Sequence, residues 1–316
     1  MSATVAPPTE QRKTFACFGS RCTVIVADAR ASDAAAAVIV ARRRLLKWHA
    51  QFSRFEPDSE LSRLNDDPLA TVTVSPLMRR VIEAGIRAAE ATGGLVDPTL
   101  LGQLEGAGYV GHFDQPGPAL SDALALAPKR RPAGPSPQSS WRLVRTDRRT
   151  STVTRPAGVR IDPGGIAKGV FADELAAVLS GHDAFVVECA GDLRLGGRLS
   201  PVREVHVASP FEDAVLHTFM LRFGGVATSG ITKRSWIGPD GSVAHHLLDP
   251  ATGRPAFTGV VQVTALAPTA IEAETLSKAA LLAGPGEAER ILVHGGVVVL
   301  DDGNCAVFDP SFAAAA

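Results

Sequence analysis

Residues 158–180 read GVRIDPGGIAKGVFADELAAVLS, a short apolar run that ends at Asp162 and continues through Pro-Gly-Gly into a helical pattern. The two glycines have no side chain, so the backbone can turn sharply there and approach a ligand closely. Apolar residues then recur at helical spacing from Phe171 to Val178, which predicts a helix that begins near Ile166 and buries one face. The pattern is therefore that of a strand, a tight turn and a helix.

The first turn of this predicted helix has the features of an anion-binding site. The first N–H groups of a helix have no partner within it and form the positive end of its dipole, and Lys168 adds an ammonium group in the same turn. The spacing matches neither the Walker pattern nor the dinucleotide-binding pattern. Two interpretations stay open at this point: a phosphate-binding site, and an ordinary glycine turn between a strand and a helix.

The composition is that of a soluble globular protein. The chain has 316 residues, 45% of them hydrophobic and 21% charged, which suffices for one large core or two smaller ones. Its 32 Lys and Arg residues balance 33 Asp and Glu residues. Because there is no bulk basic field that would attract nucleic acid or an anionic membrane, we expect neither as a partner, and any anion site must be local.

The sequence shows neither a targeting segment nor a cysteine pattern typical of disulfides or zinc sites. The N-terminal residues MSATVAPPTEQRK contain no apolar signal-peptide core, and nowhere does the chain have about 18 consecutive apolar residues. This predicts a cytoplasmic protein that does not insert into a membrane, with residues 1–13 as a flexible tail. The four cysteines Cys17, Cys22, Cys189 and Cys305 lack CxxC spacing, so we expect reduced thiols rather than a disulfide scaffold or a zinc site.

Glycines, prolines and capping residues divide the chain into helices and short strands. Helices are predicted at about 33–52, from Asp58 or Ser59 to about Asn65, and at 76–92, 269–283 and 286–293. Strands are predicted at 14–28, in short pieces between 184 and 228, and at 259–267, 296–300 and 304–308. Residues 112–140 are rich in Pro, Gly and Ser, which predicts a surface excursion whose basic run, 129–131, is a solvated face.

Five segments follow the order of the motifs of a known family. They are FGSRCTVIV (18–26), FSRFEPDSELSRLN (52–65), GLVDPTLLGQLEGAGY (94–109), RIDPGGIAKGVFADEL (160–175), and the pair VATSG (226–230) and HHLLDPATGRP (245–255). Together they resemble the FAD:protein FMN transferases, the ApbE flavin transferase family. The resemblance spans nearly the whole chain, and five ordered motifs are far more specific than any one of them.

Members of that family move FMN from FAD onto a Ser or Thr of a target protein and release AMP, with Mg²⁺ at the pyrophosphate. The resemblance therefore implies a phosphoryl-transfer enzyme with FAD as substrate, Mg²⁺ as cofactor and a flavin-acceptor protein as partner. It also implies an α+β, two-lobed fold with mixed or antiparallel sheets and packed helices, formed by a single domain over 14–316 with the FAD cleft between its lobes. Elementary chemistry agrees, since breaking a pyrophosphate requires charge neutralisation, a positioned hydroxyl and a base.

Position by position, the resemblance implies that Asp162 and Lys168 contact FAD and that the backbone carbonyl of Gly165 is a metal ligand. Lys168 is also a candidate catalytic group, because its ammonium can offset the charge of the pyrophosphate. The other implied cofactor contacts are Phe18, Phe55, Leu95, Val96, Asp97, Thr228, Ser229, Leu247, Leu248 and Ser277.

His246 is the candidate base for the acceptor hydroxyl, since it aligns with the His of the His-x-x-Asp-Pro motif. Histidine is the side chain whose ordinary pKa suits proton transfer near neutral pH. The alternative is a structural histidine that is hydrogen-bonded to Asp249 or to the turn. The adjacent His245 is the weaker candidate.

The helix predicted at 269–283 departs from the family motif. Where the family has a carboxylate and, four residues on, a Thr hydroxyl for the metal, this chain has Glu274 and Lys278. Glu can still ligate Mg²⁺, although Mg²⁺ tolerates poor geometry badly, whereas a protonated ammonium has no lone pair and repels a metal. A second departure is Ala107, which stands where the family has Trp and removes a large aromatic surface.

Two interpretations of Glu274 and Lys278 follow, and the motif register favours the first. In the first, they pair at i, i+4 and the ammonium occupies or crowds the metal site, so that the protein binds FAD by a fixed cation and transfers flavin poorly or without Mg²⁺. In the second, they form an ordinary helix salt bridge worth about 0.3–0.5 kcal/mol, off the core face, and the site is built otherwise. Three functions stay open: FMN transfer to a protein, FAD hydrolysis to FMN and AMP, and FAD binding with weak catalysis.

Overall fold

The structure is a computed structural model that describes residues 9–111 and 117–310. Eight α-helices lie within these ranges, interspersed with two 3₁₀ turns at Ser140–Leu143 and Pro163–Gly165. The helices are α1 Ala31–Phe52, α2 Glu60–Asp66, α3 Pro76–Ala91, α4 Leu101–Gly106, α5 Leu120–Ala125, α6 Ala167–Leu179, α7 Ala270–Ala283 and α8 Pro285–Ile291.

Strands in the same ranges form one large sheet and several small ones. The strands are β1 Thr9–Cys17, β2 Ser20–Asp28, β3 Thr71–Thr73, β4 Arg145–Asp147, β5 Thr152–Thr154, β6 Ala184–Cys189, β7 Asp192–Gly196, β8 Arg203–Ala208, β9 Val215–Leu221, β10 Gly224–Gly230, β11 Ser235–Ile237, β12 Val243–His245, β13 Leu248–Asp249, β14 Arg254–Pro255, β15 Val260–Ala267, β16 Gly296–Leu300 and β17 Cys305–Phe308. The large sheet has the order β1-β2-β6-β7-β10-β15-β16-β17, and every neighbouring pair in it is antiparallel.

Two hydrophobic cores are formed on this sheet because successive side chains of a strand point to opposite faces. In β6, Phe185 and Val187 join a core built largely from α1, α3 and α6, whereas Val186 joins a second core. The second core contains side chains of the β8–β9 hairpin, such as Phe219 and Leu221. Helix α1 packs on β1 and β2, α6 packs on β6 and β7, and α7 packs on β10 and β15.

Helices α6 and α7 approach each other closely. A Cβ added at Gly169 would lie 2.7 Å from the Cα of Ile271 and 2.8 Å from the carbonyl oxygen of Ala270, so only glycine fits at this crossing. The carboxylate of Asp173 in α6 accepts hydrogen bonds from the N–H groups of Ala270 and Ile271, each at 3.0 Å, and so caps the start of α7. The two helices are therefore fixed relative to each other.

The structure confirms most of the predicted helices and strands to within a few residues. The predicted start of the folded domain at residue 14 is wrong, because β1 begins at Thr9 and pairs with β2 from Thr9 opposite Asp28. Polar residues can extend such a strand, since pairing uses backbone groups. Residues 1–8 of the predicted tail and the end of the predicted domain, 311–316, lie outside the described residues.

The predicted surface excursion at 112–140 is only partly described, since 112–116 lie outside the described residues. Its later part is tied to the body of the protein. The N–H of Arg131 donates to the carbonyl of Phe257 at 3.0 Å, and Arg130 forms an ion pair with Asp301 at 2.6 Å. The basic run is therefore not simply a solvated face, because the guanidinium of Arg130 has a carboxylate partner. The division into two lobes stays a prediction.

No helix of the described ranges combines the length and the apolar character needed to cross a bilayer.

Candidate functional site

The Pro-Gly-Gly turn is held in place by the segments around it. Asp162 accepts a hydrogen bond from the N–H of Gly164 at 2.8 Å, and its own N–H donates to the carbonyl of Pro98 at 2.8 Å. Helix α6 follows at Ala167, one residue after the predicted start, so Lys168 lies in its first turn. The turn and the helix are therefore close to the predicted ones, whereas the predicted strand before them is not observed: β5 ends at Thr154, and residues 155–162 belong to no strand. The backbone of Ile161 is bonded to a side chain, that of Asn65, and not to a neighbouring strand.

Side chains from two other motifs support this turn. Asn65 accepts from the N–H of Ile161 at 2.7 Å and donates to the carbonyl of the same residue at 2.8 Å, as a neighbouring strand would. Asp97 accepts from the N–H and the hydroxyl of Thr99 at 2.8 and 2.5 Å. Its second oxygen is buried without a hydrogen-bond partner among the described residues, and burial raises the pKa of this carboxyl group.

A cavity of about 630 Å³ lies in front of the turn, a size typical of a small-molecule site. Its walls combine aromatic and aliphatic side chains, and most of its charged side chains are Lys or Arg. The predicted site residues that line it are Phe18, Phe55, Leu95, Val96, Asp97, Asp162, Gly165, Lys168, His246, Leu247, Leu248 and Lys278. Segments that are far apart in the sequence therefore meet at one cavity.

Four predicted site residues do not line the cavity. The hydroxyl of Thr228 is bonded to that of Thr264 at 2.8 Å, across the β10–β15 pair. The hydroxyls of Ser229 and Ser277 are buried and bonded to each other at 2.9 Å, and Glu274 is also buried. The expectation that Thr228 and Ser229 line the cleft is corrected accordingly, because their hydroxyls are satisfied within the protein.

Below the cavity, the ammonium of Lys168 lies between two buried carboxylates. It contacts Asp192 and lies 2.9 Å from Glu274 Oε1. The other oxygen of Glu274 accepts from the N–H of Gly169 at 2.8 Å, and Asp192 Oδ1 lies 3.3 Å from the N–H of Thr228. The carboxylates therefore fix the ammonium at the start of α6.

These contacts determine the charge states of the three groups. Burial alone would lower the pKa of Lys168, but the two carboxylates outweigh it and raise this pKa above its ordinary value. Burial raises the pKa of Asp192 to about 6, against the opposing effect of Lys168. For Glu274, burial is outweighed by Lys168 and Lys278, which lower the pKa. Lys168 is therefore charged at neutral pH.

Lys278 is half-buried and lies beside the glycine turn. A Cβ built on Gly165 would be 3.1 Å from Lys278 Cε and 3.7 Å from Nζ. In the described part of the chain, Lys278 forms no ion pair, because the oxygens of Glu274 contact Lys168 and the N–H of Gly169 instead. Burial lowers the pKa of Lys278 against the opposing charges of Glu274 and Asp192, and the nearby Lys168 and Arg234 lower it further.

The i, i+4 pair between Glu274 and Lys278, which both interpretations assumed, is therefore wrong. Glu274 is also not off the core face of its helix, since its side chain is 2% exposed. The physical reason is a partner from another helix: Lys168 of α6 reaches Glu274 in α7, and the close packing of the two helices buries the contact.

The side chains at this point do not fit the divalent metal that the resemblance implies. Within residues 9–111 and 117–310, no group of three His, Cys, Asp or Glu side chains is arranged to hold a metal ion. Both oxygens of Glu274 are in contact with Lys168 and Gly169, and the backbone of Gly165 lies against Lys278. Mg²⁺ requires near-octahedral oxygen ligands, and an ammonium group cannot be one of them.

His246 lines the cavity, as expected for a candidate base. Its Nδ1 atom is buried without a hydrogen-bond partner among the described residues. Burial lowers the pKa of His246 well below its ordinary value, and the cationic Arg234 and Lys278 add to this effect. The imidazole is therefore neutral and can accept a proton.

The alternative contact of His246 with Asp249 does not form, because Asp249 accepts instead from the N–H groups of Gly134 and Ala251, at 2.9 and 3.0 Å. His245 lies in the core, with its ring 4.9 Å from that of Phe257. Burial lowers the pKa of His245 to about 4.

The comparison with known families agrees with this geometry. The model of the ApbE family matches residues 18–300. The chain belongs to the ApbE family. This confirms the resemblance inferred from the five motifs.

Individual ApbE relatives are similar over most of their length. The FAD:protein FMN transferase of Escherichia coli K12 is 28% identical over 259 residues, which are 78% of this chain and 71% of that protein. The enzyme of the same name from Treponema pallidum is 29% identical over 290 residues, 84% of this chain and 77% of that protein.

Solved ApbE structures share the fold. The ApbE protein of Thermotoga maritima superposes with a TM-score of 0.78 at 26% identity, covering 95% of this chain and 97% of that one. The flavin transferase ApbE of Vibrio cholerae, at 21% identity, has a TM-score of 0.73 and coverage of 96% and 98%. The predicted fold class, an α+β ApbE-like fold with antiparallel sheets and packed helices, is confirmed.

Sequence reasoning missed Arg54, which lines the cavity. Its guanidinium carbon lies 4.2 Å from the ring centroid of Phe55 and 4.4 Å from that of Tyr109. Arg54 also donates to the carbonyl of Tyr109 at 2.7 Å, and its Nε lies 3.8 Å from Asp162. The adjacent Phe55 was the available signal, but nothing in the sequence brings Tyr109 to the same place.

Asp192 and Trp236 were also missed. Asp192 is a single acidic residue at the start of β7, and only the fold brings it to Lys168. Trp236 donates from Nε1 to the carbonyl of Ala107 at 2.7 Å and stacks on Tyr109, with 5.2 Å between the ring centroids. Trp236 therefore packs beside Ala107 and supports Tyr109, which lines the cavity.

Proposed function

We propose that this ApbE-family protein transfers FMN from FAD to a Ser or Thr hydroxyl of an acceptor protein and releases AMP. The observation that carries the proposal is Lys168, a fixed ammonium in the first turn of α6 below a cavity with aromatic walls. The relatives from Escherichia coli and Treponema pallidum, both named FAD:protein FMN transferase, support the same function.

The cavity suits the chemical character of FAD. The flavin and adenine rings are flat and largely apolar, and Phe18, Phe55 and Tyr109 line the walls. The pyrophosphate is anionic, and the N-terminus of α6 with Lys168 attracts such a group through its dipole and its charge. The two carboxylates hold Lys168 at the start of α6, and the third N–H of its ammonium group can donate to a phosphate oxygen.

The proposed reaction exchanges the phosphoanhydride bond of FAD for a phosphoester bond to the acceptor. The acceptor oxygen forms a bond to the FMN phosphorus, the bond from that phosphorus to the bridging oxygen breaks, and AMP leaves with the bonding electrons. His246 takes the proton of the acceptor hydroxyl. Its pKa is low in the free protein, and the negative charge of a bound pyrophosphate would raise this pKa towards neutrality, which makes the imidazole a better base in the FAD complex.

The resemblance to the family also implies Mg²⁺ at the pyrophosphate. When bound, Mg²⁺ would neutralise charge on the pyrophosphate oxygens. The side chains present do not fit it, so the charge is assigned to Lys168 and its neighbours in the cavity.

The test is to incubate the purified protein with FAD and an acceptor domain that carries the family's Ser or Thr target, and to measure AMP and the mass of the acceptor. We expect AMP and an acceptor that is heavier by one FMN, and neither product with an acceptor whose target hydroxyl is replaced by Ala. AMP at the same rate without acceptor would instead show FAD hydrolysis. Bound FAD without AMP or a mass change would show a binding protein.

A further inference from the structure

We propose that in this chain the ammonium of Lys278 replaces the divalent cation, so that the protein holds the pyrophosphate of FAD without Mg²⁺. The inference rests on the proposed function, because FAD is taken as the ligand. It concerns the charge that this particular chain places beside the pyrophosphate.

The charges around Lys168 and Lys278 are balanced. Two buried carboxylates, Asp192 and Glu274, face two ammonium groups, Lys168 and Lys278, and the four charges cancel. A divalent cation is attracted by a cluster with excess negative charge and several free oxygen ligands. This cluster has no excess of negative charge. The oxygens of Glu274 are already in contact with Lys168 and with the N–H of Gly169.

The second step is the position of Lys278. It lines the cavity, its Cε and Nζ lie beside Gly165, and it forms no ion pair within 4.0 Å in the described part of the chain. The charges of Glu274 and Asp192 lie near this ammonium without contacting it, so its N–H groups can donate to an anion that enters the cavity. The anion that fits is one that also contacts Lys168 and the glycine turn, which is the place proposed for the pyrophosphate.

The third step is the cost of adding a metal beside these groups. Arg234 also lines the cavity, and its charge lowers the pKa of Lys278. A divalent ion in this place would meet the three positive charges of Lys168, Lys278 and Arg234 against the two carboxylates of Asp192 and Glu274, so the net charge of the site does not attract it. The structure favours fixed cations in this place over a bound metal.

The experiment measures FAD affinity by flavin fluorescence or calorimetry, once in EDTA and once in millimolar Mg²⁺. For the wild-type chain we expect the two dissociation constants to agree within about twofold. For Lys278→Thr we expect binding in EDTA to weaken about tenfold or more, as for loss of a hydrogen bond to a charged group, and Mg²⁺ to restore part of the loss. Lys278→Arg keeps the charge and should stay independent of Mg²⁺.

Two controls separate this role from a structural one. Lys47 in α1 is exposed and is not one of the residues that line the cavity, so Lys47→Thr should leave both dissociation constants within about threefold of the wild type. Lys278→Met keeps the length and apolar character of the side chain, and its melting temperature should equal or exceed that of the wild type, because no ion pair is lost.

Three results would overturn the inference. Mg²⁺ that strengthens FAD binding to the wild type by about tenfold or more would refute it and leave the proposed function intact. If Lys278→Thr binds FAD in EDTA as tightly as the wild type does, the inference about Lys278 is refuted and the proposed function is not affected. Absence of FAD binding under both conditions would refute the proposed function together with it.

Discussion

Replacement of Lys168 by Met should destabilise the protein strongly, and more so at high pH than at low pH. Lys168 is 18% exposed and contacts two carboxylates whose side chains are only 2% exposed. Removing one partner of a buried pair costs about 3–5 kcal/mol of the free energy of unfolding, because the remaining charge is buried without compensation. At roughly 2 °C per kcal/mol, the melting temperature should fall by about 6–10 °C near neutral pH.

The pH dependence follows from Asp192. Its pKa in the folded protein is about 6, above the ordinary value of 3.8, so the native state takes up a proton in the window between them. Because the native state binds more protons than the unfolded chain there, stability falls as pH rises through that window. Without Lys168 the pKa of Asp192 rises further, so the loss caused by Lys168→Met should be largest at about pH 8 and smaller at about pH 5.

Urea unfolding of both proteins at these two pH values measures the effect, with Lys233→Met as the matched control. Lys233 is an exposed lysine at the rim of the same cavity, and its replacement should change the free energy of unfolding by no more than about 0.5 kcal/mol. A loss below about 1 kcal/mol for Lys168→Met, or an equal loss at both pH values, would show that the buried charge cluster does not form as described.

Three further changes test other parts of the site and fold. His246→Asn should lower the rate of AMP release with acceptor present by about 10²–10⁴-fold and change FAD affinity only a few-fold; an undiminished rate would remove His246 as the base. Gly169→Ala should reduce the free energy of unfolding by about 1–3 kcal/mol, because the new Cβ meets backbone atoms at 2.7 Å. Gly181→Ala, with open space around it, should be close to neutral in the same urea experiment. Arg54→Ala should weaken FAD binding by about tenfold in a fluorescence titration, because it removes a cation from the cavity and the packing of two aromatic rings; unchanged affinity would place FAD away from this wall.

Much of the fold was predictable because its elements carry local signals. Ser59 and Ser75 cap α2 and α3 as side-chain acceptors, and Pro76 opens α3. The strands that were missed, among them β3, β4 and β11, have only three residues each. Strand β3 pairs with the distant β5, so its partner leaves no local pattern, whereas β4 and β11 pair with nearby strands and are too short to show an alternation of apolar and polar residues.

Site residues that belong to a sequence motif were predictable, whereas contacts between residues of different segments were not. The glycine turn, Lys168 and His246 were found from their own segments. The pairing of Lys168 with Asp192 and Glu274 was not, because these residues belong to α6, β7 and α7 and meet only through packing. Helical spacing suggested that Glu274 would pair with Lys278, whereas the close approach of α6 at Gly169 gives Glu274 a partner from another helix.

The close crossing of α6 and α7 makes the two helices move as one unit. Asp173 holds the first N–H groups of α7, and Gly169 lets the helices touch through their backbones. A displacement of one helix must therefore carry the other with it, so the backbones at Lys168 and Lys278 move together. This part of the cavity is therefore a rigid unit, and a ligand that binds there must fit the distance between α6 and α7 that is already present.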